Sequence, residues 1–210
     1  TQAATSSTDT ASYGDLYQWG RFGDGHQCRT SITTVNLATT SVPNHGYFLV
    51  SPSSPNDWLT PQDGNLWQGV DGVNNPCPSG YRLPTEAELN VELLFWTSKD
   101  LIGALESPLQ LPTAGFRDND GGFYLVGTHG YYWSSTVSGT SAVDLAFHDI
   151  AYSADSYTLP RGSGASVRCT KNIDNLPPTP VYCTGSATAI VNVTNPITGK
   201  TWMDRNLGAT

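Results

Sequence analysis

The C-terminal stretch of the chain constrains its fold more than any other part. Residues 175–182, Asn-Leu-Pro-Pro-Thr-Pro-Val-Tyr, carry three prolines in four positions. Prolines so spaced favour a stiff, extended connection. Beyond it, residues 187–193 alternate as a strand, Asn195-Pro196-Ile197-Thr198-Gly199 turns the chain, and Lys200-Thr201-Trp202-Met203 returns. A lone two-stranded hairpin is at best marginally stable in water, because one of its faces has nothing to pack on. Residues 183–210 therefore need a surface against which Ile190, Val191, Val193, Trp202, Met203 and Leu207 are buried, and these six are the expected inter-unit contacts. The expected organisation is a domain body over 1–172, a Pro-rich linker over 173–182, and a displaced β-hairpin over 183–210 that completes a neighbouring copy or its own body.

A chain of 210 residues can bury one sizeable core or two small ones. With 21 Gly and 14 Pro, its elements must be short and turn-rich, and six Trp and ten Tyr supply the rigid bulk such a domain needs. The clearest element is a helix over about 86–97. Thr85-Glu86-Ala87-Glu88 is a capping box, and Leu89, Leu93 and Trp96 follow at helical spacing. A second helix is expected near Lys99–Leu105 with Ser98 as its cap, and a helical turn near Asp9–Tyr13 capped by Ser7, Thr8 or Asp9. Short strands are expected at Leu16–Trp19, Tyr47–Val50, Leu109–Ala114, Phe123–Val126, Tyr131–Ser135, Val143–Phe147 and Ser166–Thr170, with glycines between the later ones that suit antiparallel hairpins. Residues 23–46 read as a long decorated loop and 58–80 as ordered irregular structure. The class is α+β.

Charge removes whole categories of function. Ten basic against 18 acidic residues give a net −8 without any basic cluster, which excludes nucleic acid as a partner. The longest apolar run, Leu93-Leu94-Phe95-Trp96, is far too short to insert in a membrane. Without an initiator Met or a signal peptide, the chain reads as a mature product or an excised piece. Four cysteines allow three pairings, and none has the CxxC spacing of a zinc or redox site, so disulfides and an extracellular or cell-surface bacterial location are expected.

Signals for chemistry are sparse. His26, His45, His129 and His148 are scattered, HExxH and Gly-x-Ser-x-Gly are absent, and Gly162-Ser163-Gly164 reads as a turn. No catalytic residue, no resident cofactor and no enzyme are expected. Asp118 and Asp120, in Asp118-Asn119-Asp120-Gly121-Gly122, are the candidate calcium ligands, although a hairpin turn asks for the same residues and the closing Glu of an EF-hand loop is missing. Asn56-Asp57 and Gln62-Asp63 beside Trp58 are candidate sugar ligands. Asp9-Thr10-Ala11 is similar to an O-glycosylation acceptor used by some Bacteroidota, which makes Thr10 a candidate modification site. Asn192-Val193-Thr194 is an N-glycosylation sequon.

Several separated blocks add a resemblance. Trp202-Met203-Asp204-Arg205-Asn206-Leu207-Gly208-Ala209 at one end, and Ala4-Thr5-Ser6-Ser7-Thr8-Asp9 through Tyr13-Gly14-Asp15-Leu16-Tyr17-Gln18-Trp19-Gly20-Arg21 at the other, resemble the opening of the Fibrobacter succinogenes major paralogous domain, cut in two and reversed in order. Asn65-Leu66-Trp67-Gln68-Gly69-Val70, Gly80-Tyr81-Arg82-Leu83-Pro84-Thr85-Glu86-Ala87-Glu88, Leu111-Pro112-Thr113-Ala114-Gly115-Phe116-Arg117, Tyr132-Trp133-Ser134-Ser135-Thr136 and Ser166-Val167-Arg168-Cys169 continue it in family order. Leu89-Asn90 departs from the Trp-Glu of many members, and 29–57 looks like a variable insertion. The resemblance extends to formylglycine-generating enzymes and the C-type-lectin-like superfold. It implies a twisted antiparallel sheet, one main helix and long ordered loops. It also implies that Cys77 pairs with Cys169, leaving Cys28 with Cys183, a bond that would staple one unit's body to another's tail. The function expected is a structural subunit or tandem repeat of an extracellular fibre or surface array, its identical units joined head to tail near Thr210/Thr1 by donation of 183–210. The alternative is an adhesion or glycan-binding module.

Overall fold

A computed structural model describes residues 3–69, 71–149, 153–172 and 191–209. Its strands are β1 (Tyr17–Gln18), β2 (Thr33–Thr34), β3 (Phe48–Leu49), β4 (Tyr81–Arg82), β5 (Phe116–Arg117), β6 (Phe123–Tyr124), β7 (Gly130–Ser138), β8 (Ser141–Phe147), β9 (Asp155–Pro160), β10 (Gly164–Ala165), β11 (Thr170–Lys171), β12 (Asn192–Thr194) and β13 (Thr201–Met203). The helices are α1 (Glu86–Leu94) and α2 (Leu101–Glu106), with a 3-10 turn at Thr10–Ser12. Mostly short strands with one main helix make this an α+β fold. The strands divide among four small sheets: β1-β10-β5-β6, β12-β13-β11-β4 and β7-β8-β9 are antiparallel, whereas β2-β3 is parallel.

α1 starts where the capping box places it. Thr85 accepts from the Glu88 backbone N–H, and the Glu88 carboxylate accepts from that of Thr85. The helix ends at Leu94, three residues short of the expected boundary, because the Phe95 and Trp96 N–H groups tighten onto Glu92 and Leu93 carbonyls. Trp96 is nevertheless buried, so its apolar signal was real although the backbone had left the helix. For α2 the cap is Asp100, whose carboxylate accepts from the Ile102 and Gly103 N–H groups, while the Ser98 hydroxyl donates to that carboxylate instead of capping. Asp9 caps the 3-10 turn by accepting from the Ala11 N–H. No strand forms over Leu109–Ala114. Gln110 sits at φ 45°, in the left-handed region, which interrupts the extended run, while Leu109 and Leu111 on either side of it are buried.

Two main cores result. The first joins Tyr17, Trp19, Trp67, Tyr81, Leu83, Trp133, Val167, Met203 and Leu207 around the Cys77–Cys169 disulfide. The second joins Leu89, Leu93 and Trp96 to Leu109, Leu111, Tyr132, Leu145, Phe147 and Trp202. Long loops stay ordered because buried indoles anchor them. Trp19 donates to the Ser134 carbonyl, Trp58 to Trp19, Trp67 to Asn74 and Trp133 to Tyr17, each within 2.9 Å. Buried Arg21 ties the loop after β1 by donating to the carbonyls of His45 and Tyr47 and to Asp24.

The disulfide closes a separation of 92 residues across the first core. Replacing both Cys77 and Cys169 by Ser is expected to lower the unfolding free energy by about 2–5 kcal/mol in denaturant titration. A change under 1 kcal/mol would mean that the bond does not restrain the unfolded chain.

Candidate functional site

Residues 191–209 dock on the body of the same chain, against a face that is both polar and apolar. β13 pairs with β11 through Thr170 and Trp202, and β12 pairs outside it, with Asn192, Val193 and Thr194 opposite Met203, Trp202 and Thr201. Successive strand residues point to opposite faces, so Trp202 enters the second core and Met203 the first. Leu207 follows Met203 into the first core. Trp202, Met203 and Leu207 are essentially buried, and each contributes about 1.5–3 kcal/mol by leaving water. Val193 is half-buried on the outer strand and Val191 is exposed. Ile190 lies outside the described residues.

Two glutamates of α1 read the turn between β12 and β13. Buried Glu92 accepts from the Trp202 indole at 3.0 Å, the Thr198 hydroxyl at 2.8 Å and the Asn195 amide at 2.5 Å. All three donors come from the docked segment. One turn earlier, Glu88 accepts from both Arg82 terminal nitrogens at 2.7 and 2.8 Å and from Lys200 Nζ at 2.7 Å. Burial pushes the Glu88 carboxyl up, but hydrogen bonds from Arg82, Lys200 and the Thr85 backbone outweigh it and hold the group at about 2.

Further along, Asp204, Arg205 and Asn206 are all buried. Asp204 and Arg205 pair with each other. The Asn206 carbonyl accepts from buried Arg168 at 2.9 and 3.1 Å, and its amide donates to the Tyr13 carbonyl and the Tyr132 hydroxyl. Burial lowers the Arg168 guanidinium to about 10. Beyond Asn206 the segment meets the start of the body backbone to backbone. The Asp15 N–H donates to the Leu207 carbonyl at 2.9 Å. A Cβ on Gly14 would lie 2.4 Å from that carbonyl, and one on Gly208 would lie 2.2 Å from the Asp15 carboxylate, so this approach requires glycine on both segments.

The other sequence-derived sites are dispersed. Cys28 is disulfide-bonded, and Cys183, its expected partner, lies outside the described residues, as do 173–182 of the linker. Asp118 accepts from the Asn119 N–H and the Ser163 hydroxyl, and Asp120 from the Gly122 N–H and the Tyr124 hydroxyl, so both carboxylates are engaged in the turn. Among the described residues, no three His, Cys, Asp or Glu side chains are grouped to hold a metal. Trp58 is 1% exposed with its indole committed to Trp19, which removes it as a platform for a sugar ring, and Asp57 is buried beside it. Thr10 is exposed at the start of the 3-10 turn. His26 is fully buried, its pKa lowered to about 4 chiefly by burial, and accepts the Gln18 N–H, which is a scaffold role. No helix among the described residues is long and apolar enough to cross a membrane.

Comparison of the chain with protein-family models, with curated proteins and with solved structures gives no match.

Sequence reading found the apolar half of this face and missed its polar half. Glu92, Glu88 and Arg168 on the body, and Asn195, Thr198, Lys200 and Asn206 on the segment, were the missing residues. Their one sequence signal was Glu88 and Glu92 at i, i+4 on α1, which places both on one helix face.

Glu92→Ala leaves three donors without their acceptor and is expected to cost about 2–5 kcal/mol of stability, with Glu92→Gln costing less. Equal losses for both would show that the carboxylate is not the anchor. The Glu88 pKa lies below its ordinary 4.5, so its stabilisation is complete above that pH and is lost as pH falls toward 2. Lys200→Met is accordingly expected to cost about 0.5–1 kcal/mol at pH 6 and nothing below pH 2. Asp15, raised by burial to about 7 against the opposing charge of Arg29, acts the other way: its contribution is present below pH 3.8 and declines as pH rises through 7.

Proposed function

We propose that this chain is a structural subunit or tandem repeat of a bacterial extracellular fibre or surface array, assembled head to tail by donation of residues 183–210. In this reading its fold is the C-type-lectin-like one that the blocks resembling the Fibrobacter succinogenes major paralogous domain imply. The observation that carries it is the division of labour at Glu92: a buried carboxylate on the body whose three donors, Asn195, Thr198 and Trp202, all lie on the displaced segment. Without that segment the body keeps an unpaired buried acceptor and two open cores, and without the body the segment keeps exposed Trp202, Met203 and Leu207. In the structure these contacts are made within one chain, the segment docking on its own body, and the same face offers them to the segment of a neighbour. Supplied by a neighbour, they form a heterologous contact, and repeating such a contact without closure generates a filament. The Cys77–Cys169 disulfide accords with an oxidising, extracellular setting.

Donation between copies predicts filaments of wild-type protein in electron micrographs. It also predicts complementation. Glu92→Ala damages the acceptor and Trp202→Ala the donor, so each variant alone stays monomeric. Mixed, the intact Trp202 segment of the first fills the intact Glu92 face of the second, giving a 1:1 heterodimer by native mass spectrometry. Monomers in every sample, wild type included, would overturn the assembly and leave a segment that docks on its own body.

A further inference from the structure

A second surface, on the opposite side of the β7-β8-β9 sheet from α1, combines features that the docking face does not use. His129, Tyr131, Ala146, His148 and Tyr157 line an open cleft of about 340 Å³. Its wall is a run of flat rings: His129 stacks on His148 with centroids 4.6 Å apart and on Tyr131 at 6.1 Å, the planes 17° and 7° apart. Tyr157, half exposed, forms the outer edge, and Ala146 leaves the floor open.

Behind this wall lies Asp144. It sits two residues before Ala146 on β8, hence on the same face of the strand and about 7 Å along it. It is in register with Tyr157 of β9 on one side and Trp133 of β7 on the other. Its side chain is fully buried, and beyond the backbone N–H of Asp144 itself neither carboxylate oxygen has a hydrogen-bond partner. A buried acid left without a partner is costly once ionised. Burial raises its pKa to about 7, and no basic side chain offsets the rise.

We propose that this cleft binds a small organic ammonium ion, held against the faces of Tyr131 and Tyr157 and balanced by the Asp144 carboxylate. Ring faces are negative and attract cations, most strongly where water is excluded. An ammonium ion seated between the tyrosines supplies the positive charge that Asp144 lacks within the protein. Burial and then the neighbouring His148 hold the His129 imidazole below its ordinary pKa, so it adds a neutral ring to the wall and no competing charge. A metal ion fits less well, because near-parallel stacked imidazoles do not converge their nitrogens on one point.

Choline is a suitable probe, with 3,3-dimethylbutan-1-ol as its uncharged counterpart of the same shape. Titration of the full chain followed by NMR is expected to shift the Tyr131, Tyr157 and His129 ring signals with choline. The alcohol should bind about tenfold or more weakly. Asp144→Asn removes the charge while keeping the side-chain shape, and Tyr157→Ala removes an exposed ring. Each is expected to weaken choline binding about tenfold while leaving the fold intact by circular dichroism. Equal binding of choline and the alcohol, no binding of choline, or wild-type choline affinity in Asp144→Asn would overturn the proposal. None of these outcomes depends on how the C-terminal segment assembles.

Discussion

The buried carboxylate of Glu92 is the interaction on which the rest of this structure depends. It lies on the inner face of α1 and takes hydrogen bonds from an indole, an amide and a hydroxyl, all on residues 195–202. A polar group buried in such a place is tolerable only when its hydrogen bonds are satisfied. α1, and the second core built on Leu89 and Leu93, therefore reach their final form only with the segment in place. Glu88 extends this dependence to the solvent-facing end of the turn through Lys200, while Arg82 couples the same carboxylate to β4.

The segment also joins the two cores. β13 places Trp202 in one and Met203 in the other, so a single three-residue strand separates and seals both. Asn206 then links Arg168 to Tyr13 and Tyr132, tying the middle of the body to its start. Each of these contacts is buried, directional and specific in shape. The segment acts as a structural element of the body, not as a tail lying on its surface.

Part of this was legible in the sequence. The capping box gave the start of α1, at the Glu88 that Arg82 also meets. The isolated hairpin announced that it needed a surface. The division of the strands into four sheets was not legible, because two-residue strands carry too little periodicity to be assigned to partners. β9 escaped notice since none of its residues is buried and it ends in Pro160. The polar key escaped for another reason: Asn195, Thr198 and Lys200 are what a turn would hold anyway, so their second role at Glu92 and Glu88 is written only in three dimensions. Nothing in the sequence marks Asp144 as buried, yet it is fully buried in β8 opposite Trp133.

The proposal that the Trp202–Glu92 contact, made within one chain in the structure, is also made between copies is tested most directly by solid-state NMR of assembled material. The sample is co-refolded from equal parts of uniformly ¹³C-labelled and uniformly ¹⁵N-labelled chains, in which every ¹⁵N–¹³C cross-peak must arise between molecules. The account predicts a cross-peak between the Trp202 indole nitrogen and the Glu92 carboxyl carbon. Its absence, in a preparation where doubly labelled chains diluted in unlabelled protein do show it, would contradict donation and place the segment on its own body.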